Sequence, residues 1–211
     1  MGDEVTYAYD HEDDLVAEFF GKDFVGNFLD IGAYDGKNNS NTYLFAERGW
    51  NGLMVEANYK NMPFLVNNCS CFYPRVKVVN ALVGRTDRVL TPIWIPPVHG
   101  DNATACEGLV DRGATRFGSF PILMAPLRVM DFVPREGGFD YVSIDADGWS
   151  MDIMKDYPWH WYVGKRMAVC IEFLLKEHLG VNEAPLIKDY MNGIGFQHLA
   201  TTKENVIMVR E

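Results

Sequence analysis

Phe28-Leu29-Asp30-Ile31-Gly32-Ala33-Tyr34-Asp35-Gly36 is the stretch that decides how this chain folds. An apolar run ends in an acid, a glycine turn follows, and a second acid precedes a second glycine. Such a run is a buried strand feeding a tight loop at the carboxyl edge of a sheet. Its glycines let the backbone turn sharply and approach a ligand closely. A phosphate cradle needs amide donors with little negative charge nearby. Asp30 and Asp35 work against that, so the loop suits a ligand that offers hydroxyls and a positive charge.

Outward from this stretch, strand and helix signals alternate. Apolar residues three and four apart between Tyr9 and Phe20 predict a helix, ended by Gly21. After the Gly26–Leu29 strand comes a helix over Ser40–Arg48, capped by Ser40 or Asn41 and stopped by Gly49. Gly52–Val55 reads as a strand ending at Glu56. Asn58 caps a helix to about Asn67, and Val76–Leu82 is a third strand. Arg88–Ile95 reads as an added strand. Strands over Phe139–Ile144 and Met167–Ile171 end at Asp145 and Glu172, with helices over about Ser150–Lys155 and Ala184–Met191. Gly195–Ala200 and Val206–Val209 form a closing hairpin. Alternation with buried strands implies an open, doubly wound α/β sheet. In such sheets ligands bind beyond the carboxyl ends of the strands, at the switch point. Asp30, Glu56, Asn80-Ala81, Asp145 and Glu172 all fall there.

The 211 residues fit one domain, 1–211. Pro96 to Ser119, rich in Gly, Pro and polar residues, exceeds the usual ~12–15 residues of a structureless connection and is expected to be a lid-like insertion. With 48% hydrophobic and 23% charged residues the composition is globular, and the formal net charge is −10. That balance argues against a general nucleic-acid or anionic-membrane partner, whose footprint is basic. No apolar run reaches the ~18 residues of a membrane span, and Met-Gly-Asp-Glu-Val lacks a signal-peptide core. A cytoplasmic location is the expectation. Cys69 and Cys71 are too close for a zinc knuckle, and with Cys106 and Cys170 they read as reduced thiols.

Glu56 lies 20 residues after Gly36, where an acid can accept both ribose hydroxyls. That spacing also suits a nicotinamide enzyme. The glycines, however, read Gly32-x-x-x-Gly36 rather than G-x-G-x-x-G, and a terminal hairpin is foreign to the purely parallel dinucleotide fold.

Four stretches carry a family resemblance: Asp10-His11-Glu12-Asp13; Phe28 to Gly36 followed by Ser40-Asn41-Thr42; Gly49-Trp50-Asn51-Gly52-Leu53-Met54-Val55-Glu56-Ala57-Asn58; and Tyr141-Val142-Ser143-Ile144-Asp145-Ala146-Asp147-Gly148. The chain resembles class I S-adenosylmethionine-dependent methyltransferases, and among them the FkbM-like group, over about residues 9–95 and 125–211. The resemblance implies a Rossmann-like, seven-stranded, mostly parallel sheet with an antiparallel last strand. It also implies methyl transfer to a hydroxyl of a sugar or other small-molecule or natural-product acceptor. The loop with Asp30, Gly32, Ala33, Asp35 and Gly36 would hold the methionine part of the cofactor. Asp30 would face its ammonium, and Ser40 and Asn41 would close the site. Glu56, with Ala57 beside it, would take the ribose hydroxyls, and Asn80 and Ala81 would flank the adenine. Asp145 would sit near the methyl group and the acceptor.

Methyl transfer from a sulfonium is an in-line displacement in which the protein mainly aligns the partners. A hydroxyl acceptor must also lose a proton, so a base helps. Asp145 and Asp147, two apart, share a face if the segment is extended. For Asp147 three roles stand open: base, magnesium ligand together with Asp145 and Glu172, or cap of the helix near Ser150. His160, in Pro158-Trp159-His160-Trp161-Tyr162, is either a base or stacking group, or part of a core edge. Trp94, His99 and Phe117 either line an acceptor pocket or pack in the core. Rival readings are an RNA or other nucleic-acid methyltransferase and a non-catalytic protein on the same fold. Against the first, Ile95-Pro96-Pro97-Val98 lacks the amide and aromatic of the amine-directed motif. Lys22 and Lys176 are poor matches to a ribose-directed set.

Overall fold

Phe28, Leu29 and Ile31 are all buried, because strand β1 (Asn27–Ile31) runs through the middle of the sheet with both faces covered. In a computed structural model, which describes residues 6–87, 89–95, 120–146, 148–173 and 182–211, β1 pairs in parallel with β2 (Asn51–Glu56) on one side. On its other side it pairs, again in parallel, with Tyr141–Ile144, far along the chain. Beyond β2 lies β3 (Val76–Asn80). The chain therefore grows outward from β1 and then crosses back to its other side, which makes the β1 carboxyl end a switch point.

Two further strands, β4 (Thr91–Ile95) and β5 (Phe120–Met124), pair with each other as a separate antiparallel ribbon. They make Tyr141–Ile144 β6. The sheet continues through β7 (Met167–Glu172) to β9 (Asn205–Arg210) and ends at β8 (Gln197–Thr201). The sheet has seven strands, in the order β3-β2-β1-β6-β7-β9-β8, and β9 is antiparallel to both its neighbours. This is the mostly parallel α/β sheet that the alternation implies. Ribbon strand β5 carries Pro121 and β4 carries Pro92, residues that a central strand excludes and a two-stranded ribbon tolerates. No strand was expected over β5. The lid expected at 96–119 lies outside the described residues, as does Arg88 at the start of the expected β4.

Side chains on successive strand residues point to opposite faces. Leu29, Ile31, Val142, Ile144, Val169 and Ile171 build the core on one face. Phe28, Met54, Tyr141, Ala168 and Cys170 build it on the other. Asp30 and Ser143 are register partners on β1 and β6 and fall on the second face. Helix α1 (Glu12–Phe20) packs Val16, Ala17 and Phe20 against that face. It begins three residues later than its apolar pattern suggests, because His11 sits at φ 64, outside helical geometry.

Helices α2 (Tyr43–Glu47) and α3 (Met62–Cys69) also start late. Ser40 Oγ accepts from the amides of Thr42 and Tyr43, at 3.3 and 3.1 Å, and Asn58 Oδ1 accepts from the amide of Lys60 at 3.0 Å. Both side chains therefore shape turns ahead of the helices instead of capping them. Helix α4 (Ser150–Asp156) follows β6. Helix α5 (Glu183–Gly193) precedes the final hairpin, capped by the Asn182 side chain on the amide of Ala184.

The start of the turn after β1 is pinned by backbone hydrogen bonds. The amides of Gly32 and Ala33 donate to the Val55 carbonyl at 2.9 and 3.1 Å, and the Asp145 amide donates to Ile31 at 2.8 Å. Gly32 has φ +87, and a Cβ there would lie 1.6 Å from the Asp145 carbonyl oxygen. No other residue fits, so the β1 and β6 loops touch only because residue 32 lacks a side chain. Gly32→Ala is expected to cost about 2–4 kcal/mol in urea unfolding, from backbone strain plus overpacking. An unchanged midpoint would show that the two loops do not meet.

Candidate functional site

At the carboxyl edge, where β1 and β6 separate, the chain encloses a cavity of about 570 Å³. That lies within the range of small-molecule and cofactor sites. Among the five carboxylates that line it, three come from the carboxyl ends of adjacent strands, Asp30 from β1, Glu56 from β2 and Asp145 just after β6, and Glu172 and Glu204 complete the set.

Asp30 is 4% exposed. Its Oδ2 accepts from Thr42 Oγ1 at 2.6 Å, and Thr42, at the start of α2, makes no side-chain cap hydrogen bond. Burial pushes the Asp30 carboxyl up to about 7; hydrogen bonds from Thr42 and Ser143 oppose this and the Asp145 charge adds to it. Glu56, 7% exposed, is gripped from two directions. The Asn58 amide donates to Oε1 at 2.6 Å and the Tyr34 amide to Oε2 at 2.8 Å. Burial raises its pKa to about 7 against these bonds and one from Asn61. Asp145 is open to the cavity. Surrounding protein atoms raise its pKa, a hydrogen bond with Glu172 opposes the rise, and the charges of Glu204 and Glu12 reinforce it. Cavity water reaches this carboxylate and tempers the desolvation.

The structure brings Asp30, Gly32, Ala33, Ser40, Asn41, Glu56, Ala57, Ala81 and Asp145 together on the cavity wall. Other residues expected there lie elsewhere. Asp35 turns inward and organises the loop: its Oδ1 accepts from the amides of Lys37 and Asn38 at 2.9 and 2.8 Å. Gly36 packs under α3, where a Cβ would meet Leu65 Cδ1 at 2.5 Å. Asn80 spends its amide on the Glu56 and Ala57 carbonyls, at 2.8 and 3.1 Å, and so braces the β2 end from behind. His160 is exposed on the 3₁₀ turn Trp159–Tyr162, which leads into the amino end of β7, the edge opposite the cavity. Trp159 and Tyr162 anchor that turn in the core and leave His160 facing outward. Trp94 faces its ribbon partner Pro121 and is not in the cavity wall. Asp147, His99 and Phe117 lie outside the described residues.

Sequence reading missed Tyr9, Trp149, Glu204 and Asn205, all in the cavity wall. Glu204 and Asn205 come from the final hairpin. An antiparallel strand begins at the edge where its parallel neighbour ends, and Asn205 is register partner of Glu172. That signal is usable only once β9 is known to sit beside β7.

No family model matches the chain, and no curated protein matches it. Solved structures do. A protein from Staphylococcus aureus, assigned as a caffeoyl-CoA O-methyltransferase, aligns with TM-score 0.52 at 13% identity, covering 98% of this chain and 86% of its own. The fold is that of Rossmann-like methyltransferases. Precorrin-6y C5,15-methyltransferase of Geobacter metallireducens aligns over 100% of this chain and 95% of its own, at 12% identity and TM-score 0.48. A protein from Pyrococcus horikoshii assigned as an RNA methyltransferase aligns over 94% and 81%, at 13% and 0.47. Among the described residues no group of three or more His, Cys, Asp or Glu side chains is arranged to hold a metal ion, and no helix is long and apolar enough to cross a membrane.

Asp30 and Glu56 titrate near 7 in the folded chain against ordinary values of 3.8 and 4.5. The fold binds their protons more tightly than the unfolded chain does. Their contribution is complete below about pH 4 and is lost as pH rises through about 7. The melting temperature of the unliganded wild type should therefore fall relative to Asp30→Asn as pH rises from about 5 to about 8. A constant difference between the two across that range would remove the buried-acid assignment.

Proposed function

We propose that this chain is an S-adenosylmethionine-dependent O-methyltransferase of the FkbM-like kind, acting on a hydroxyl of a sugar or other small-molecule acceptor. The observation that carries the reading is the state of Glu56. The Asn58 amide donates to Oε1 at 2.6 Å and the Tyr34 amide to Oε2 at 2.8 Å, and a third bond from the Asn61 side chain helps fix the carboxylate at the cavity wall. A carboxylate has about four acceptor sites, and the one left over is placed to accept a ribose hydroxyl.

The rest of the wall fits the same cofactor. Asp30, buried with no basic side chain among its described partners, gains a counter-charge from an ammonium. Gly32 lets the backbone close on the ligand without a Cβ in the way. Leu82, Val83, Ile93 and Trp149 supply an apolar surface for a purine. Bound there, S-adenosylmethionine would supply a methyl group made electrophilic by its sulfonium. Asp145 stands open to the remaining volume. Its raised pKa suits it to take the proton that an acceptor hydroxyl loses as its oxygen gains the methyl group. Asp147 and a magnesium ion are further elements of the reading, and both are open to direct test.

Two measurements test the proposal. Calorimetric titration with S-adenosylmethionine should show binding that Glu56→Ala weakens more than tenfold, about 1.4 kcal/mol. Equal affinity in the two proteins would remove the ribose assignment. Incubation with labelled S-adenosylmethionine and a panel of hydroxyl acceptors, with and without magnesium, should show transfer that Asp145→Asn slows in kcat by about 10²–10⁴-fold. An unslowed variant would rule Asp145 out as the base.

A further inference from the structure

The two edges of the sheet are built differently. At one end β8 carries a register shift between His198 and Ala200, an irregularity that discourages a further strand. At the other end β3 keeps unbroken register with β2 from Val76 to Asn80 and contains no proline. Among the described residues no strand pairs with its outer side. The outward amides and carbonyls of its 5 residues form an open template about 17 Å long.

The surface around this edge differs from the rest of the chain. Between Glu56 and Asp87 the sequence contains no acid, although the chain as a whole has a formal net charge of −10. Within that span Arg75 is spent on the carbonyls of Ala46 and Trp50, at 3.4 and 2.9 Å. Arg85 pairs with Asp87 at 2.8 Å. Lys77, on β3 itself, is exposed and among the described residues has no ion-pair partner. Helix α3 packs beside β3 with Leu65 and Cys69 inward, and leaves Phe64 and Val66 at the surface, 45% and 48% exposed.

Alternation along β3 sorts these groups by face. Val76 and Val78 lie on the α3 side, in the core with Leu65. Lys77 and Val79 lie on the other side, where Val79 meets the first core. Val78 and Val79 are only half-buried, since no outer strand flanks them.

We infer that β3 receives an extended acidic segment of a partner protein, added as an edge strand with an acid opposite Lys77 on one face and apolar residues beside Val78 and α3 on the other. Backbone pairing supplies affinity in such additions, and alternate side chains supply specificity. Lys77 decides the occupant. A two-fold pairing of β3 with a second copy, centred on Val78, would set two lysines diagonally on one face, a like-charge contact. A carboxylate opposite Lys77 is an attraction instead. With Arg75 and Arg85 engaged, the edge lacks the row of cations that a nucleic-acid backbone requires.

The full chain is titrated by fluorescence anisotropy with four labelled probes. They are a peptide of alternating Val and Glu, one of alternating Val and Lys, the Val–Glu peptide N-methylated at every residue, and oligo-dT. The Val–Glu peptide should bind at least tenfold more tightly than any of the others. Lys77→Glu, a change at an exposed position, should reverse the order of the two charged peptides. N-methylation removes backbone donors and keeps the charge, so equal binding of the methylated peptide would overturn the inference by showing a contact without strand pairing. No response to the Val–Glu peptide, whatever else covers the edge, would overturn it too. So would tighter binding of oligo-dT, or a ranking that Lys77→Glu leaves unchanged. Binding at this edge is independent of the cofactor assignment above.

Discussion

Asp30 and Glu56 are each more than nine-tenths buried at the edge of an apolar sheet, and among the described residues no basic side chain sits against either. Burying a carboxylate without a counter-charge is costly, and the chain meets that cost with hydrogen bonds alone. Thr42 and Ser143 serve Asp30; the amides of Tyr34 and Asn58 serve Glu56. Burial pushes both carboxyls up, and an arriving cation or set of hydroxyls favours their ionised form. The strain is local, and the two apolar cores on either side of the sheet carry the stability that it consumes.

The sheet makes this arrangement possible by geometry. Parallel register places the ends of β1, β2 and β6 side by side, so residues distant in sequence share one rim. Gly32 then allows the β1 turn to lie directly on the Asp145 backbone, which brings two carboxylate-bearing loops closer than any side chain would permit. The antiparallel entry of β9 adds Glu204 and Asn205 to the same rim from the opposite chain direction. A purely parallel sheet would not deliver a hairpin turn there.

Much of the fold was legible because buried strands and amphipathic helices carry strong periodic signals. The strands over 27–31, 51–56, 76–80, 141–144 and 167–172 were all expected, and so was the closing hairpin. The errors have specific causes. Three helices begin late because a left-handed His11, a Ser40 turn and an Asn58 turn each override the pattern. Strand β5 was missed because Pro121 argues against a central strand, and periodicity carries no hint of an isolated ribbon. In the candidate site, Asp35 and Asn80 look like ligand groups in sequence but turn their polar atoms onto backbone. His160 shares an aromatic cluster whose buried members point it away from the cavity.

From the order of residues alone came the alternating architecture, the glycine turn after β1, and acids at the ends of strands. Each depends on neighbours a few positions apart, and local sterics and burial enforce them. The tertiary structure decided which of those acids share one rim, that Asn205 is oriented by Glu12 from the far end of the chain, and that five carboxylates and no basic side chain line the described part of the cavity. These depend on strand order and crossover, which join segments more than a hundred residues apart. No local pattern encodes a pairing that only the packing of the whole sheet selects.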